Sequence, residues 1–264
     1  MDRSGCFHPG EPEVISRSPR QRNFFSTILI VIMVSVLLMP RVATAQESDG
    51  WTFCITPYLW LLALDGKTAA LGNDVPVDAD FGDILDNLNI AVSANMELNN
   101  GKWFVVVDPM WSSLEMPIET DGPFGGDVEV ELLIVDALVG MSVTENFDIY
   151  TGLRYYDQDI EVIPNMLPKV DLGDDWMDYL IGVRANSRVS EKWSVTGKID
   201  VAVGGDSDSA LYVQAVFMRY FGDNKHLDLG WRYYDVDYES GAGLTRFKWD
   251  VAHSGPVVGF SWEF

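Results

Sequence analysis

The chain has 264 residues, with 18 Lys+Arg against 40 Asp+Glu and a formal net charge of −22. Such acidity repels phosphate backbones and argues against nucleic acid as a partner. A content of 47% apolar and 12% aromatic residues argues against a disordered acidic chain. Two cysteines are too few for a disulfide framework or a cysteine zinc site.

The first 45 residues read as an export signal. Arg17, Arg20 and Arg22 precede an apolar run from Phe24 to Met39, followed by Pro40, Arg41 and the small-residue site Ala43-Thr44-Ala45. A basic stretch, an apolar core and a small-x-small site form a secretory signal peptide, with cleavage expected after Ala45. Residues 1–22 are an extended polar leader, as a start codon assigned too far upstream would produce. The run is near the lower limit of a spanning helix, about 17–25 residues, so a retained anchor is the alternative. Cleavage leaves residues 46–264 with 13 basic and 37 acidic side chains, a net charge of −24. That length suits one large all-β domain. Cys6 leaves with the leader, Cys54 stays, and no cysteine at the cleavage point invites a lipid anchor.

Beyond the signal, no segment is long and apolar enough for a membrane helix, and alternation with period two takes over. Ten strands are expected, with eight to twelve open, over about 51–64, 89–99, 102–115, 128–143, 147–160, 175–189, 192–204, 210–221, 225–239 and 247–264. Over 89–99, Ile90, Val92, Ala94, Met96 and Leu98 oppose Ser93, Asn95 and Glu97. Over 147–160, Phe147, Ile149, Leu153 and Tyr155 oppose Asp148, Gly152 and Arg154. Over 175–189, Met177, Tyr179, Ile181, Val183 and Ala185 oppose Asp178, Gly182, Arg184 and Asn186. Trp193, Val195, Ile199 and Val201 then oppose Ser194, Thr196, Lys198 and Asp200, and Leu227, Leu229, Trp231 and Tyr233 oppose Asp228, Gly230 and Arg232. The strand over 210–221 alternates poorly, because Arg219 shares a face with Phe217 and Phe221.

The connections alternate in length. Asn99-Asn100-Gly101, Thr144-Glu145-Asn146, Ser190-Glu191-Lys192 and Gly222-Asp223-Asn224-Lys225 are tight turns built from residues that tolerate positive φ. The other connections, about 65–88, 116–127, 161–174, 205–209 and 240–246, are expected as loops, the first with room for a further hairpin. Tight turns at one end and long loops at the other describe an up-and-down antiparallel transmembrane β-barrel. Aromatics at strand ends (Trp193, Trp231, Tyr233, Trp262, Phe264) fit interfacial girdles, and the strands reach the roughly 9–11 residues that cross a bilayer. A soluble periplasmic β-sandwich or lipocalin-like binder is the alternative fold.

The final strand closes in Phe260-Ser261-Trp262-Glu263-Phe264. It resembles the C-terminal assembly signal of Gram-negative outer-membrane barrels, carried by Phe260, Trp262 and Phe264. Ile55-Thr56-Pro57-Tyr58-Leu59-Trp60-Leu61 with Asp65-Gly66, Phe81-Gly82-Asp83-Ile84-Leu85-Asp86-Asn87-Leu88, and Trp231-Arg232-Tyr233-Tyr234-Asp235-Val236-Asp237-Tyr238 resemble a poorly characterised proteobacterial group of small, porin-like barrels. The resemblance spans residues 46–264 almost entirely. It implies the outer membrane as location and the barrel-assembly machinery as a partner, and it carries no activity.

If the apolar faces meet lipid, the opposite faces supply a lumen with Glu97, Asp108, Asp136, Asp148, Asp178, Asp200, Asp228 and Glu263 beside Arg154, Arg184, Lys198 and Arg232. Buried charges persist mainly as hydrogen-bonded pairs. Two readings follow: a lumen plugged by a salt-bridge network, giving a structural or surface role, or a narrow passive channel with a charged constriction.

No catalytic residue, cofactor or metal site is expected. His226 sits beside a tight turn without a partner motif. His253-Ser254 invites comparison with lipid-modifying barrel enzymes, such as a lipid A acyl hydrolase. Adjacent strand residues face opposite ways, however, so the pair meets only if Gly255-Pro256 forms a bulge. Asp174-Asp175 and Glu129/Glu131 carry no specific spacing for glycosidase chemistry. The acids do have an address. Asp74, Asp78, Asp80, Asp83 and Asp86, then Glu115, Glu119, Asp121, Asp127, Glu129 and Glu131, then Asp171, Asp174, Asp175, Asp206, Asp208, Asp235, Asp237 and Glu239 fall in or beside the long connections. The expectation is an acidic outer rim facing outer-membrane lipid and lipopolysaccharide, either solvated and simply repelling anions or sharing divalent cations with them.

Overall fold

The computed structural model describes residues 50–264 apart from 71, 119–124 and 167, with the side chains of Ala70, Ile118 and Leu244 also left out. The expected signal peptide with its cleavage residues Ala43 and Ala45, and the rim acids Glu119 and Asp121, lie outside the described residues.

The strands are β1 (Thr52–Trp60), β2 (Ala63–Ala70), β3 (Asn73–Ala79), β4 (Leu88–Asn99), β5 (Trp103–Ile118), β6 (Gly126–Thr144), β7 (Phe147–Pro164), β8 (Val170–Ser190), β9 (Trp193–Gly205), β10 (Ser209–Tyr220), β11 (Lys225–Ser240) and β12 (Phe247–Glu263). Every ladder between them is antiparallel. β1 pairs β4, the sheet runs on in order to β12, and β12 pairs β1 from Cys54↔Glu263 to Trp60↔Val257. A ring of ten strands is thereby closed, which excludes two packed sheets. Phe53 and Phe264 finish the seam with backbone hydrogen bonds of 3.2 and 2.8 Å.

β2 and β3 lie outside that ring. The strand expected over 51–64 ends at Trp60, and the connection expected over 65–88 is mostly a hairpin. β2 leaves β1's line and pairs the upper half of β12, from Ala63↔Ser254 to Thr68↔Trp249, and β3 pairs β2. The return to β4 runs through a short helix, α1 (Phe81–Asp86). Its start is fixed by a capping box: Asp83 N–H donates to Asp80 at 3.0 Å, and Asp80 N–H donates to Asp83 at 3.1 Å.

Other connections are shorter than expected because their strands continue. β7 runs to Pro164 and β8 begins at Val170, so most of 161–174 is wall. With 19, 18 and 21 residues in β6, β7 and β8, the wall extends well past the roughly 9–11 residues a bilayer needs. The tight turns are local chemistry. Asn100 Oδ1 accepts from the Lys102 and Trp103 amides at 3.0 and 2.7 Å, while Gly101 takes the φ of 82° that the reversal requires.

The outward faces carry an exposed apolar band, including Leu59, Val107, Val139, Ile149, Ile181, Ile199, Val213 and Leu229. Trp103, Phe147, Trp193, Phe221 and Phe264 edge it at the tight-turn end, and Tyr179 and Trp231 at the other. Arg219 belongs to this edge. Its guanidinium lies 5.2 Å from the Trp193 ring and 5.6 Å from Phe221, as a snorkelling side chain at a lipid boundary does. Inside, two glycines make room for rings. A Cβ on Gly140 would collide with Phe104, and one on Gly182 with Tyr150.

Candidate functional site

The lumen is the candidate site, and it has three levels. At the tight-turn end, a vestibule of about 690 Å³ is lined by Thr56, Glu97, Arg184, Lys198, Asp228 and Glu263 among others. Arg184 bridges its wall, donating to Glu97 at 2.6 Å and to Asp148 at 2.7 Å, and its guanidinium packs 4.0 Å from the Phe104 ring centre. On the opposite wall, Asp228 accepts from Ser261 at 2.6 Å and stands 2.6 Å from His226 Nδ1. His226 therefore has a partner two residues away, on the same inward face.

At mid-lumen, strand parity brings acids and arginines to one height. Arg154 on β7 faces Asp136 on β6 in register and binds it through two nitrogens at 2.6 and 2.9 Å. Its third nitrogen lies 3.3 Å from Asp200, which accepts from Tyr150 at 2.9 Å. Asp108 accepts from Tyr58 at 2.6 Å and from Asn95 at 2.9 Å, with Arg232 at 3.7 Å. Arg232 also donates to the Tyr58 hydroxyl at 2.9 Å. Lys198 is the exception: among the described residues it makes no ion pair, and its ammonium sits 5.7 Å from both the Tyr150 and Tyr212 rings. Asp178 is buried higher up, accepting from the Ser207 amide at 3.0 Å. Glu263 lines the vestibule.

Above the charges lies a packed aromatic layer. Tyr156 stacks on Trp176 at 4.7 Å, Trp176 on Tyr238 at 4.2 Å, and Tyr156 on Tyr234 at 6.0 Å. The Tyr234 hydroxyl donates to that of Tyr156. Met110, Leu132, Ile134, Ala210, Tyr212, Val236, Phe247, Trp249 and Val251 complete this buried cluster, and Leu64 and Val77 of the hairpin pack onto it. Arg154 couples the two levels, 4.8 and 5.0 Å from the Tyr212 and Tyr234 rings. Parity is the sequence signal for these rings: Arg154, Tyr156 and Gln158 share one face of β7, as do Arg232, Tyr234 and Tyr238 of β11.

His253 and Ser254 are not brought together. β12 stays in register with β11 through Tyr234↔His253 and Tyr233↔Ser254, so no bulge intervenes. His253 is buried in the lumen, whereas Ser254 faces outward and accepts from Trp231 Nε1 at 3.0 Å. Among the described residues, no group of three or more His, Cys, Asp or Glu is placed to hold a metal ion.

The rim acids are less free than their sequence positions suggested. Arg246 donates to Asp74 at 2.6 Å and to Glu239 at 2.8 Å. These bonds hold both carboxyls below their ordinary range. Lys169 bridges Glu161 at 2.6 Å and Asp171 at 3.2 Å, and Asp174 accepts from Tyr238 at 2.8 Å.

No protein-family model matches the sequence, and no curated protein matches it significantly. Among solved structures, the chain is similar to the outer-membrane protease OmpT of Escherichia coli, with a TM-score of 0.55 and 8% identity over 84% of this chain and 99% of that one. It also aligns with the translocator domain of the autotransporter NalP from Neisseria meningitidis (TM-score 0.42, 11% identity, 92% and 96% covered). The Ail protein of Yersinia pestis aligns with a TM-score of 0.38 and 9% identity, covering 82% and 100%. At such identities the likeness is one of fold. The closed antiparallel ring, its exposed apolar band with aromatic edges and its tight turns at one end give the chain the fold of an outer-membrane β-barrel, the fold it shares with OmpT.

Proposed function

We propose that the protein is a closed barrel with a structural or surface role in the outer membrane, its lumen held shut by paired charges and by the aromatic layer above them. One observation carries this reading: the Tyr156–Trp176–Tyr238 stack, joined through Tyr234 to Arg154 and so to Asp136 and Asp200. Conduction needs a continuous polar path, and this layer of large rings interrupts it. Ten strands enclose little more than the eight whose interior side chains just fill, so a few rings suffice. The vestibule is then a water-accessible recess facing the periplasm.

Single-channel recording on the purified protein in planar bilayers tests the reading. No stable conductance steps are expected at moderate voltage, and reproducible steps would overturn it in favour of the second reading, a narrow passive channel. That second reading draws on the vestibule, whose charged lining would form the entrance. A catalytic role draws no support from His253 and Ser254, which face opposite sides of the wall. The proposal keeps lipopolysaccharide as the neighbour of the acidic rim. Any divalent cation there would take much of its oxygen shell from lipid phosphate and water. The final strand, with Phe260, Trp262 and Phe264, is proposed as the element offered to the barrel-assembly machinery.

A further inference from the structure

Arg219 shares the outward face of β10 with Phe217, where a strand meeting lipid is otherwise apolar. A cation on that face costs little only near the membrane boundary. The register shows what surrounds it there. Arg219 pairs with Trp193 of β9 on one side and with Leu227 of β11 on the other. Lys225 stands two residues below Leu227 on the same outward face, opposite Trp262 of β12. Diagonal cross-strand neighbours of this kind lie about 7–8 Å apart, within reach of long side chains. The Arg219 side chain leans toward Lys225. Its guanidinium lies 5.6 Å from the ring of Phe221, whose amide donates to the Lys225 carbonyl at 2.8 Å where the turn closes. Phe221 stacks on Phe260 at 6.4 Å, and Phe260 meets Trp262 at 4.6 Å. A shelf of rings thus runs from β9 to β12 around two cations.

Neither cation has an acid. Among the described residues, Arg219 and Lys225 make no ion pair, whereas Arg154, Lys169, Arg184, Arg246 and Lys248 each do. Asp228 and Glu263 belong to the neighbouring stretches of β11 and β12, but they line the vestibule on the other side of the wall. Two adjacent cations left unpaired on the outside are an exception in a chain with a net charge of −22. Directly above them the wall is apolar and open. Phe217 and Leu229 pair in register and are 55% and 41% exposed.

We propose that this patch binds an anionic phospholipid of the periplasmic leaflet. The phosphate sits between the Arg219 guanidinium and the Lys225 ammonium, and an acyl chain runs up the wall over Phe217 and Leu229. The cations and the exposed apolar pair are contiguous, so a lipid uses both, whereas a free phosphate ion uses the cations alone. A zwitterionic lipid binds more weakly, because its own cationic group approaches two positive charges. The inference is independent of whether the lumen conducts. It rests only on a barrel standing in a bilayer with its tight turns toward the periplasm.

The experiment uses the purified barrel in phosphatidylcholine nanodiscs doped with a phosphatidylglycerol that carries a diazirine on its acyl chain. A parallel sample carries the same diazirine on phosphatidylcholine. Mass spectrometry of the cross-linked peptides is expected to show the phosphatidylglycerol label enriched on Val213–Phe217 and Leu227–Leu229 over the outward residues of β6 and β8. The phosphatidylcholine label should be even around the band. A cation near a membrane surface contributes roughly fivefold. Arg219→Gln and Lys225→Gln should therefore each cut the enrichment several-fold, and the double variant should abolish it. Even phosphatidylglycerol labelling of the wild type would overturn the proposal, as would enrichment retained in a double variant that keeps its heat-modifiable mobility. The wild-type comparison decides the matter even if a variant fails to fold.

Discussion

Arg154 is 2% exposed, between two carboxylates and two tyrosine rings. Its value to the fold lies less in the attraction it makes than in what its loss would leave behind. Removing one partner of a buried network strands the others as uncompensated charge, at a cost of about 3–5 kcal/mol. Arg154→Ala should therefore lower the temperature at which the barrel loses its compact, heat-modifiable gel mobility. Adding Asp136→Asn and Asp200→Asn to the same chain should recover much of that loss, since the stranded charges are then gone. A triple variant no more stable than the single one would mean that Arg154 acts through ring packing alone. Lys198 offers a contrast within the same lumen. Facing rings and the vestibule rather than a carboxylate in contact, it should tolerate Lys198→Met far better than Arg154 tolerates alanine.

Among the elements, the β2–β3 hairpin was the least legible. Membrane-crossing strands announce themselves because one face meets lipid and the other a polar lumen, so the contrast between alternate residues is large. Parity is likewise what sets the charged residues from Glu97 to Glu263 on the faces opposite the apolar ones. The hairpin stands above the lipid, where both faces tolerate polar residues, and Asp65-Gly66-Lys67 or Asp74-Val75-Pro76 shows no contrast to read. The extensions of β7 and β8 through Glu161 and Asp171 escaped for the same reason. The aromatic layer escaped for another: alternation says that a ring points inward, and only the register between strands says which rings meet. The hairpin's attachment should also be sensitive to acid. Arg246 clasps Asp74 on β3 and Glu239 on β11, and lowers both carboxyl pKa values. A lowered carboxyl contributes stability above its unfolded-state pKa, and that contribution disappears as pH falls through the folded-state value. Amide exchange over residues 63–79, corrected for intrinsic rates, should be slow and alike at pH 7 and 5 and faster at pH 3. Arg246→Ala should exchange faster at pH 7 and lose most of the step. Because the clasp is exposed, the effect should stay local to the hairpin.

For the whole molecule, the seam between the first and last strands decides whether the sheet has edges at all. Phe264 contributes there twice, through its backbone bonds to Phe53 and a ring contact at 6.3 Å. Deleting Phe264 should reduce the amount of folded barrel recovered from outer membranes several-fold. Refolding of the same variant from urea into detergent micelles should be nearly unchanged if the residue serves assembly, and impaired to a similar degree if it serves only closure. Heat-modifiable mobility reads both.

That seam has a further consequence. β12 is met along its lower half by β1 and along its upper half by β2, two segments separated by Leu61 and Leu62. The part within the bilayer and the collar above it are thus sealed independently, by different stretches of chain. Residues can be added to or removed from the collar hairpin without moving a single pair in the lower seal. The molecule therefore holds a region that can change in length at its far turn, attached to one whose register is locked. Changes of length between related chains should collect at the turn between β2 and β3, away from Asp65-Gly66 and residues 81–88, and leave the Cys54↔Glu263 register intact.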